Sequence, residues 1–384
     1  MAILQKEIKR KIRVAVAMSG GVDSSVAAAL LQKQGYEVIG LTMQLWPRAT
    51  MADGEPSCCG IGAIEDAKRV AAKLGIPHYV INCRALFEQK VIRDFCRNYK
   101  NGQTPNPCIR CNQLVKFEYL LRQARKLGAT YLATGHYAKI KYDRKKSIYS
   151  LLKAKDPKKD QSYFLYTLTQ DQLKYILFPL GGHNKTEVRA IAQKSGLPTA
   201  HRLESQEICF IPDNNYHQFL EERIGNDIKK GSITDPTGSI LGQHQGLPFY
   251  TIGQRKGLGI AAAYPLYVKK ISKKKNILVV APEREIYQKK LVANKIILTT
   301  LKKLTKPIKV KAKIRSAHKA AACTVATLGK NKAKVEFSAG QWAITPGQAI
   351  VFYEGNKVLG GGTILKAVDS SRQRRAGIVR RAGS

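Results

Sequence analysis

Residues 14–25 read VAVAMSGGVDSS, and this stretch decides the fold of the first half of the chain. The apolar run 14–18 has the pattern of a strand and breaks at the turn 19–21, after which Asp23 and Ser24 open a helix rich in Ala and Leu. Such a turn binds anions, because glycines let backbone N–H groups approach phosphate oxygens and a helix start carries partial positive charge. The turn matches neither a Walker P-loop nor a dinucleotide fingerprint. An ordinary capped turn is the alternative interpretation.

Alternating apolar strands and amphipathic helices continue through the first two hundred residues. The predicted strands are residues 37–45, 78–82 and 131–134, and the predicted helices are residues 26–34, 64–74, 87–99 and 112–127. This alternation predicts an α/β fold with a parallel, Rossmann-like sheet covered on both faces. Ligands of such sheets bind beyond the carboxyl ends of the strands, where the glycine turn would lie.

The pattern changes near residue 212. Residues 213–275 are rich in glycine and mixed in character, which predicts a small linking domain. From residue 276 period-two alternation dominates, as in IKVKAKIR at 308–315, and predicts a small β-barrel with a lysine-rich face. We therefore predict domains at 1–212, 213–275 and 276–366, followed by a basic, disordered tail at 367–384.

The charge of the chain is strongly positive. The sequence holds 66 Lys and Arg against 27 Asp and Glu, a formal net charge of +39. Such a field attracts polyanions, of which nucleic acid is the commonest soluble one, although a basic proteome or a membrane surface is an alternative explanation. No stretch approaches the roughly 20 apolar residues of a membrane span, and the N-terminus lacks a signal-peptide pattern. We expect a cytoplasmic protein.

The segment NPCIRCN at 106–112 contains the most informative pair of cysteines. The prolines at 105 and 107 disfavour helix before Cys108, so the segment is predicted to be a loop that leads into a helix at Asn112. Cys111 would then lie at a helix N-terminus, where the helix dipole favours the thiolate. Half of a zinc site, completed by Cys58 and Cys59, and an incidental pair are the alternatives.

The remaining cysteines carry weaker signals. Cys209 lies between Ile208 and Phe210, and on these neighbours alone it is a candidate for the apolar core. The sequence predicts no role for five others, namely Cys58, Cys59, Cys83, Cys96 and Cys323.

Eight sequence blocks carry a family resemblance. The first block alone resembles the SGGxDS signature of PP-loop ATP pyrophosphatases, which activate an acceptor as its adenylate and release pyrophosphate. The blocks appear in the order SGGVDSS, TPNPCIRCN, TGHYAK, KDQSYFLY, ESQEICFIPD, HQGLPFYTIGQRKGLG, TPGQAIVFY and LGGG. Together they resemble the tRNA-specific 2-thiouridylase family over about residues 13–366.

The resemblance implies a two-stage reaction on the wobble uridine of tRNA. ATP adenylates the oxygen on carbon 2 of the uracil, and persulfide sulfur then replaces it, giving 2-thiouridine, AMP and pyrophosphate. ATP and Mg²⁺ are the expected cofactors. The expected partners are tRNA and a sulfur-donor or sulfur-relay protein, with the enzyme acting as a monomer.

The resemblance also assigns site residues. Cys111 matches the nucleophile, Cys209 the persulfide carrier, and Asp23 belongs to the catalytic set. The residues implied to bind ATP are Ala17, Met18, Ser19, Gly20, Gly21, Val22, Asp23, Ser24, Met43 and Gly135. Those implied to contact tRNA are Asn106, Pro107, Cys108, His136, Lys159, Asp160, Gln161, Arg315, Ser316 and Gln348, the first three against the target base.

One position departs from the family pattern and leaves the sulfur chemistry open. Many members carry Asp where this chain has Cys108. Together with Cys111 and Cys209 it could hold an iron–sulfur cluster that carries a labile sulfide. The persulfide route needs only Cys111 and Cys209, and we favour it. A PP-loop ligase or amidotransferase acting on a small metabolite, and a non-catalytic RNA-binding protein, are the other classes considered.

Overall fold

The structure, a computed structural model, describes residues 12–45, 61–202, 208–211, 215–301 and 303–368. Cys58, Cys59, the segment 203–207 and the predicted tail beyond residue 368 lie outside this part. The chain divides into two compact units, the first formed by residues 1–92, 107–214 and 356–358, and the second by residues 93–106, 215–355 and 359–384. Among the described residues, no helix has the length and apolar character needed to cross a membrane.

The first unit is built on a five-stranded parallel sheet with the strand order β3-β2-β1-β4-β7. Its strands are β1 Arg13–Ala17, β2 Glu37–Gln44, β3 His78–Asn82, β4 Tyr131–Thr134 and β7 Ile176–Leu177. An antiparallel hairpin, β5 Ala138–Asp143 and β6 Ile148–Lys153, lies between β4 and β7 in sequence. The predicted α/β class and parallel sheet are confirmed.

Helices alternate with these strands. They are α1 Val22–Lys33, α2 Ile61–Leu74, α3 at 84–100, α4 at 107–126, α5 Gln170–Leu173 and α6 Lys185–Lys194. The core of this unit is centred on β1, which is buried on both faces. Val14 and Val16 are inaccessible to solvent. Val26 of α1 and Val188 of α6 are fully buried in the same apolar cluster.

The helix that carries the cysteine pair begins earlier than the sequence predicts. α4 starts at Pro107 and not at Asn112, so the predicted loop through Cys111 is wrong. Proline is well suited to the first helical position, because its fixed φ is helical and its missing N–H would have no partner there. Cys108 therefore lies in the first turn and Cys111 in the second, where the chain is wound as a π-helix over Cys111–Leu120.

The second unit contains two β structures. A four-stranded sheet has the order β10-β11-β8-β9, and a six-stranded barrel closes through pairing of β12 with β17. The strands are β8 Gly231–Thr234, β9 Ile240–His244, β10 Leu266–Ser272, β11 Ile277–Pro282, β12 Tyr287–Leu298, β13 Ile308–Lys313, β14 Ala321–Thr327, β15 Lys332–Trp342, β16 Ala349–Glu354 and β17 Lys357–Val368. Helix α7, Tyr216–Ile224, precedes them.

The barrel confirms the period-two reading of the sequence. Along β13 the lysines at 309 and 311 are exposed, whereas Ala312 is buried in the barrel core. That core also contains Val335 and Phe352, both almost inaccessible to solvent. The expected C-terminal β-barrel is therefore present.

Two adjacent glycines, Gly181 and Gly182, offer a matched test of the packing in the first unit. A Cβ on Gly181 would overlap the backbone carbonyl of Ala138, whereas one on Gly182 would meet nothing within 4 Å. We expect Gly181→Ala to lower the free energy of unfolding by about 2 kcal/mol through overpacking. Gly182→Ala should change it by less than about 1 kcal/mol, since Ala mainly restricts the unfolded chain there. Urea unfolding of both variants measures this, and equal midpoints would contradict the packing.

Candidate functional site

The turn after β1 is shaped by a glycine that no other residue can replace. Gly20 has φ +68°, and a Cβ there would overlap the carbonyl of Ala63. Gly21 is the N-cap of α1 and has no side chain to offer the first-turn amides. Instead the Ser24 and Ser25 hydroxyls donate to the Gly21 carbonyl at 3.0 and 2.9 Å. The Ser24 hydroxyl also accepts from the Ser19 amide at 3.1 Å, so the two serines tie the turn to the start of α1. Anion binding at this helix start stays a prediction.

A second glycine brings β4 against the same helix start. A Cβ on Gly135 would lie 2.7 Å from the Ser24 amide nitrogen, so only glycine permits this approach. β2 and β4 lie on opposite sides of β1, which makes the gap between β1 and β4 the switch point of the sheet. Open α/β sheets bind their ligands at such points.

A cavity of about 190 Å³ opens at this switch point. It is lined by Ala17, Met18, Ser19, Asp23, Ser24, Leu41, Met43, Lys116, Thr134, Gly135, His136 and Gln161. Seven of the ten residues that the resemblance assigns to ATP are in this lining, and Gly20, Gly21 and Val22 form the turn beside it. His136 and Gln161, which the resemblance assigns to tRNA, line the same cavity.

Asp23 is held by two groups that sequence reasoning missed. Lys185 Nζ lies 2.7 Å from Asp23 Oδ1, and the Tyr137 hydroxyl donates to the same oxygen at 2.8 Å. The Lys185 side chain is only 12% exposed. The sequence signal for Lys185 was the Asn184–Glu187 capping box, which marks a helix start without showing what that start faces.

Arg202 also contacts the turn after β1. Its guanidinium donates to the Gly20 carbonyl at 3.2 Å and forms an ion pair with Asp66. Sequence reasoning missed Arg202 as well. Because its partner on the turn is a backbone carbonyl, no side-chain pattern could have pointed to the contact.

His136 is neutral at neutral pH. Its Nδ1 lies 2.7 Å from the Thr134 hydroxyl, and its ring packs beside Phe117 with centroids 5.8 Å apart. Burial, followed by the positive charge of Lys116, holds the pKa of His136 well below its ordinary value. His136 therefore offers hydrogen bonds at the cavity and no positive charge.

The two thiols of α4 differ in accessibility. Cys108 is exposed, whereas Cys111 is 8% exposed. Cys83, which precedes α3, is also buried, and desolvation, with a smaller contribution from Cys111, raises the pKa of Cys83 to about 12. Cys83 thus stays protonated at neutral pH, and thiols in that state are poor nucleophiles.

Cys209 lies in a turn in which the Ile211 amide donates to the Ile208 carbonyl at 2.9 Å. Its thiol is partly exposed, although the neighbouring Phe210 is buried and packs edge-on against Phe87 of α3 at 5.7 Å. Phe210 therefore anchors the turn while Cys209 keeps access to solvent. Phe210, next to Cys209 in sequence, thus packs against the first turn of α3, and Cys83, just before that turn, is influenced by Cys111.

The residues 159–161 stabilise their own loop. The Asp160 carboxylate accepts from the Ser162 hydroxyl at 2.9 Å and from the Ala154 amide at 3.1 Å. Gln161 pairs with the backbone of Tyr137 through both its amide and its side chain. The Lys159 side chain, which the resemblance also assigns to tRNA, is partly exposed.

The other residues assigned to tRNA belong to the second unit, apart from Pro107 and Cys108, which start α4. Arg315 donates to the Ile252 carbonyl at 2.9 Å and to Thr345 Oγ1 at 2.7 Å, while Ser316 beside it is exposed. Gln348 Nε2 donates to the carbonyl of Thr104 at 3.1 Å, two residues before the partly exposed Asn106.

No group of three His, Cys, Asp or Glu side chains stands ready to hold a metal ion in the parts of the chain that the structure describes. In those parts Cys108, Cys111 and Cys209 do not form the three-thiolate set that a cluster requires.

The fold and the cavity define a nucleotide-binding α/β protein whose anion turn lies at the switch point of a parallel sheet. Residues 12–213 match the family described as "tRNA methyl transferase HUP domain". Residues 217–282 match its "PRC-barrel domain", and residues 288–364 match "Aminomethyltransferase beta-barrel domain".

Two curated relatives show the family more closely. The tRNA-specific 2-thiouridylase MnmA of Carboxydothermus hydrogenoformans is 51% identical over 356 residues, covering 92% of this chain and 98% of that protein. Its namesake from Heliobacterium modesticaldum is 50% identical, covering 94% of each chain. The chain belongs to the tRNA-specific 2-thiouridylase family.

A solved structure is also similar in part. It is a 4-thiouridine synthetase in complex with RNA and bound ATP, 17% identical, with a TM-score of 0.34, covering 56% of this chain and 51% of that one.

Lys185 provides a test of the site. Because its ammonium pairs with the Asp23 carboxylate, which lines the cavity predicted to bind ATP, we expect Lys185→Ala to slow pyrophosphate release from ATP by about 100-fold, as loss of one preorganised charged donor does elsewhere. Lys185→Arg should retain part of the rate. Lys194→Ala, at the exposed end of the same helix, is the matched control and should leave the rate unchanged. A Lys185→Ala rate equal to that control would show that the ion pair has no part in ATP use.

Proposed function

We propose that this protein catalyses the ATP-dependent 2-thiolation of uridine in tRNA. The cavity with Asp23 and Lys185 beside it supports an activation step, and the thiols of Cys111 and Cys209 support sulfur transfer. The observation that carries the proposal is that both sets of residues belong to one chain whose curated relatives, at about half identity, are tRNA-specific 2-thiouridylases.

Activation joins the carbon-2 oxygen of the wobble uridine to the α-phosphorus of ATP and releases pyrophosphate. Oxygen is a poor leaving group at neutral pH, and this step converts it into AMP. The backbone amides at the start of α1 would bind the phosphate oxygens. Lys185 and Lys116 would add positive charge where negative charge accumulates, and burial strengthens that interaction.

Sulfur transfer needs two cysteines with different tasks. The terminal sulfur of a persulfide on Cys209 forms a bond to carbon 2, and AMP leaves. The Cys111 thiol attacks the inner sulfur of Cys209, which breaks the sulfur–sulfur bond of the persulfide and closes a Cys111–Cys209 disulfide. A thiol reductant then supplies two electrons to restore both thiols. The partial exposure of Cys209 suits a residue that must receive sulfur from a donor protein.

Asp23 fits the requirement of a magnesium ion. Mg²⁺ is commonly held by one or two carboxylates together with substrate phosphates. Lys185 and Tyr137 hold the Asp23 carboxylate in place, and Asp23 would be the residue of this cavity that holds the ion. When bound, Mg²⁺ would neutralise part of the triphosphate charge.

The alternatives are not favoured. Because Cys108, Cys111 and Cys209 form no ligand set within the described residues, we derive no step through an iron–sulfur cluster. A ligase or amidotransferase acting on a small metabolite would require neither the net charge of +39 nor the thiols. A non-catalytic RNA-binding protein would have no use for the cavity.

The proposal extends to partners and organisation. It includes tRNA contacts by the residues assigned above, a sulfur-donor or sulfur-relay protein, a monomeric enzyme and a cytoplasmic location. It also keeps the predicted domains at 1–212, 213–275 and 276–366.

A substitution at Asp23 tests whether ATP activation and tRNA binding depend on different residues. We expect Asp23→Ala to abolish tRNA-dependent conversion of ATP to AMP, because the variant loses the carboxylate at the cavity, while tRNA affinity stays within about twofold. Pyrophosphate release and fluorescence anisotropy with a tRNA transcript measure the two properties. If tRNA binding fell with the activity, the turn would be a structural element of RNA binding.

Substitutions of the two thiols test whether ATP activation and sulfur transfer depend on different residues. Cys111→Ser and Cys209→Ser should each form no 2-thiouridine, yet release pyrophosphate in a single turnover, because neither thiol takes part in adenylation. Cys323→Ala, in the barrel core, is the control and should retain thiolation. Nucleoside mass spectrometry detects the product. Full thiolation by either serine variant would contradict the persulfide mechanism.

A further inference from the structure

A second cavity lies at the opposite edge of the parallel sheet from the anion turn. Its volume is about 540 Å³, within the range of small-molecule sites. Tyr36 just before β2, Tyr131 at the start of β4 and Ile176 at the start of β7 place it at the amino ends of the strands. The hairpin β5–β6 forms another wall. None of the site residues discussed above lines it.

Aromatic rings form part of the wall of this cavity. Four tyrosines line it, namely Tyr36, Tyr131, Tyr142 and Tyr149. Tyr142 and Tyr149 are paired across the hairpin with ring centroids 4.6 Å apart, and Tyr142 is 44% exposed. The two rings pack against each other, and Tyr142 presents its exposed part as an aromatic surface. Such a surface stacks any nucleobase, because every base has a π-face.

Positive charge accompanies the rings. Lys139 and Lys174 line the cavity, and no carboxylate is present among the described residues of its lining. The hairpin turn continues the charge with exposed basic residues at 144, 145 and 146. The lysines alone would be enough to bind a small free anion, and the rings alone would be enough to bind an apolar ligand. Rings and lysines together fit a nucleotide, and the basic turn beyond the cavity fits a chain of phosphates.

We propose that this cavity binds an unpaired nucleotide of the RNA substrate, with its base stacked on Tyr142 and its phosphate near Lys139 and Lys174. The inference rests on the proposed function in taking tRNA as that RNA. The proposed contact lies at the amino ends of the strands, remote from the reacting groups. The cavity would contribute affinity for tRNA and leave the chemical steps unchanged.

The test measures the affinity of a tRNA transcript by fluorescence anisotropy at several salt concentrations. Tyr142→Ala should raise Kd about tenfold through loss of one base stack, and Tyr142→Phe should keep the wild-type Kd. Lys139→Ala should raise Kd and lower the slope of log Kd against log salt by about one, as loss of one phosphate contact does. Lys33→Ala, an exposed lysine near the end of α1 outside the lining, is the matched control.

Activity and competition complete the test. Thiolation at saturating tRNA should keep its wild-type kcat in Tyr142→Ala, with KM raised in proportion to Kd. Unchanged Kd in both Tyr142→Ala and Lys139→Ala, or losses no larger than that of Lys33→Ala, would overturn the proposal. Millimolar uridine monophosphate should displace the tRNA from the wild type more readily than from Tyr142→Ala. Tyr142-dependent binding of uridine monophosphate that leaves the tRNA bound would overturn the proposal, because the cavity would then be a site for free nucleotides. A wild type that binds tRNA without thiolating it would refute the proposed function and leave the binding test intact.

Discussion

The close approach of three backbone segments at the start of α1 is the constraint on which the rest of the site depends. Gly20 passes against the Ala63 carbonyl, and Gly135 passes against the Ser24 amide, with no room for a side chain at either point. The start of α1 therefore lies beside a cavity whose lining includes Ser19, Asp23 and Ser24. Both glycines are therefore required for the backbone arrangement that we propose binds phosphate.

Charge and burial then divide the chemistry between two places in the first unit. At the strand ends, Lys185 and Tyr137 fix the Asp23 carboxylate at hydrogen-bond distance, while His136 is kept neutral by burial. At the start of α3, burial keeps Cys83 protonated with a pKa of about 12, which removes a competing thiol from the neighbourhood of Cys111. In the proposed mechanism the activation step and the sulfur step therefore use different residues.

Local patterns predicted most of the fold, and contacts distant in sequence account for what they missed. The strands, the alternation of the barrel and the anion turn follow from periodicity and from glycine, which are properties of neighbouring residues. The start of α4 was misjudged because a proline that ends one helix can also begin another. The contact of Lys185 with Asp23 spans 162 residues, and that of Arg202 with Gly20 spans 182, so only the folded sheet brings them together. The unequal exposure of the three thiols likewise depends on packing.

The most direct measurement is a single turnover of the wild-type enzyme carrying a persulfide, with tRNA, ATP and no reductant, followed by alkylation and peptide mass spectrometry. The mechanism predicts one 2-thiouridine and one Cys111–Cys209 disulfide for each AMP formed. Thiouridine formed in step with AMP while Cys111 and Cys209 remain as alkylatable thiols would contradict it and would point to a sulfur carrier other than Cys209.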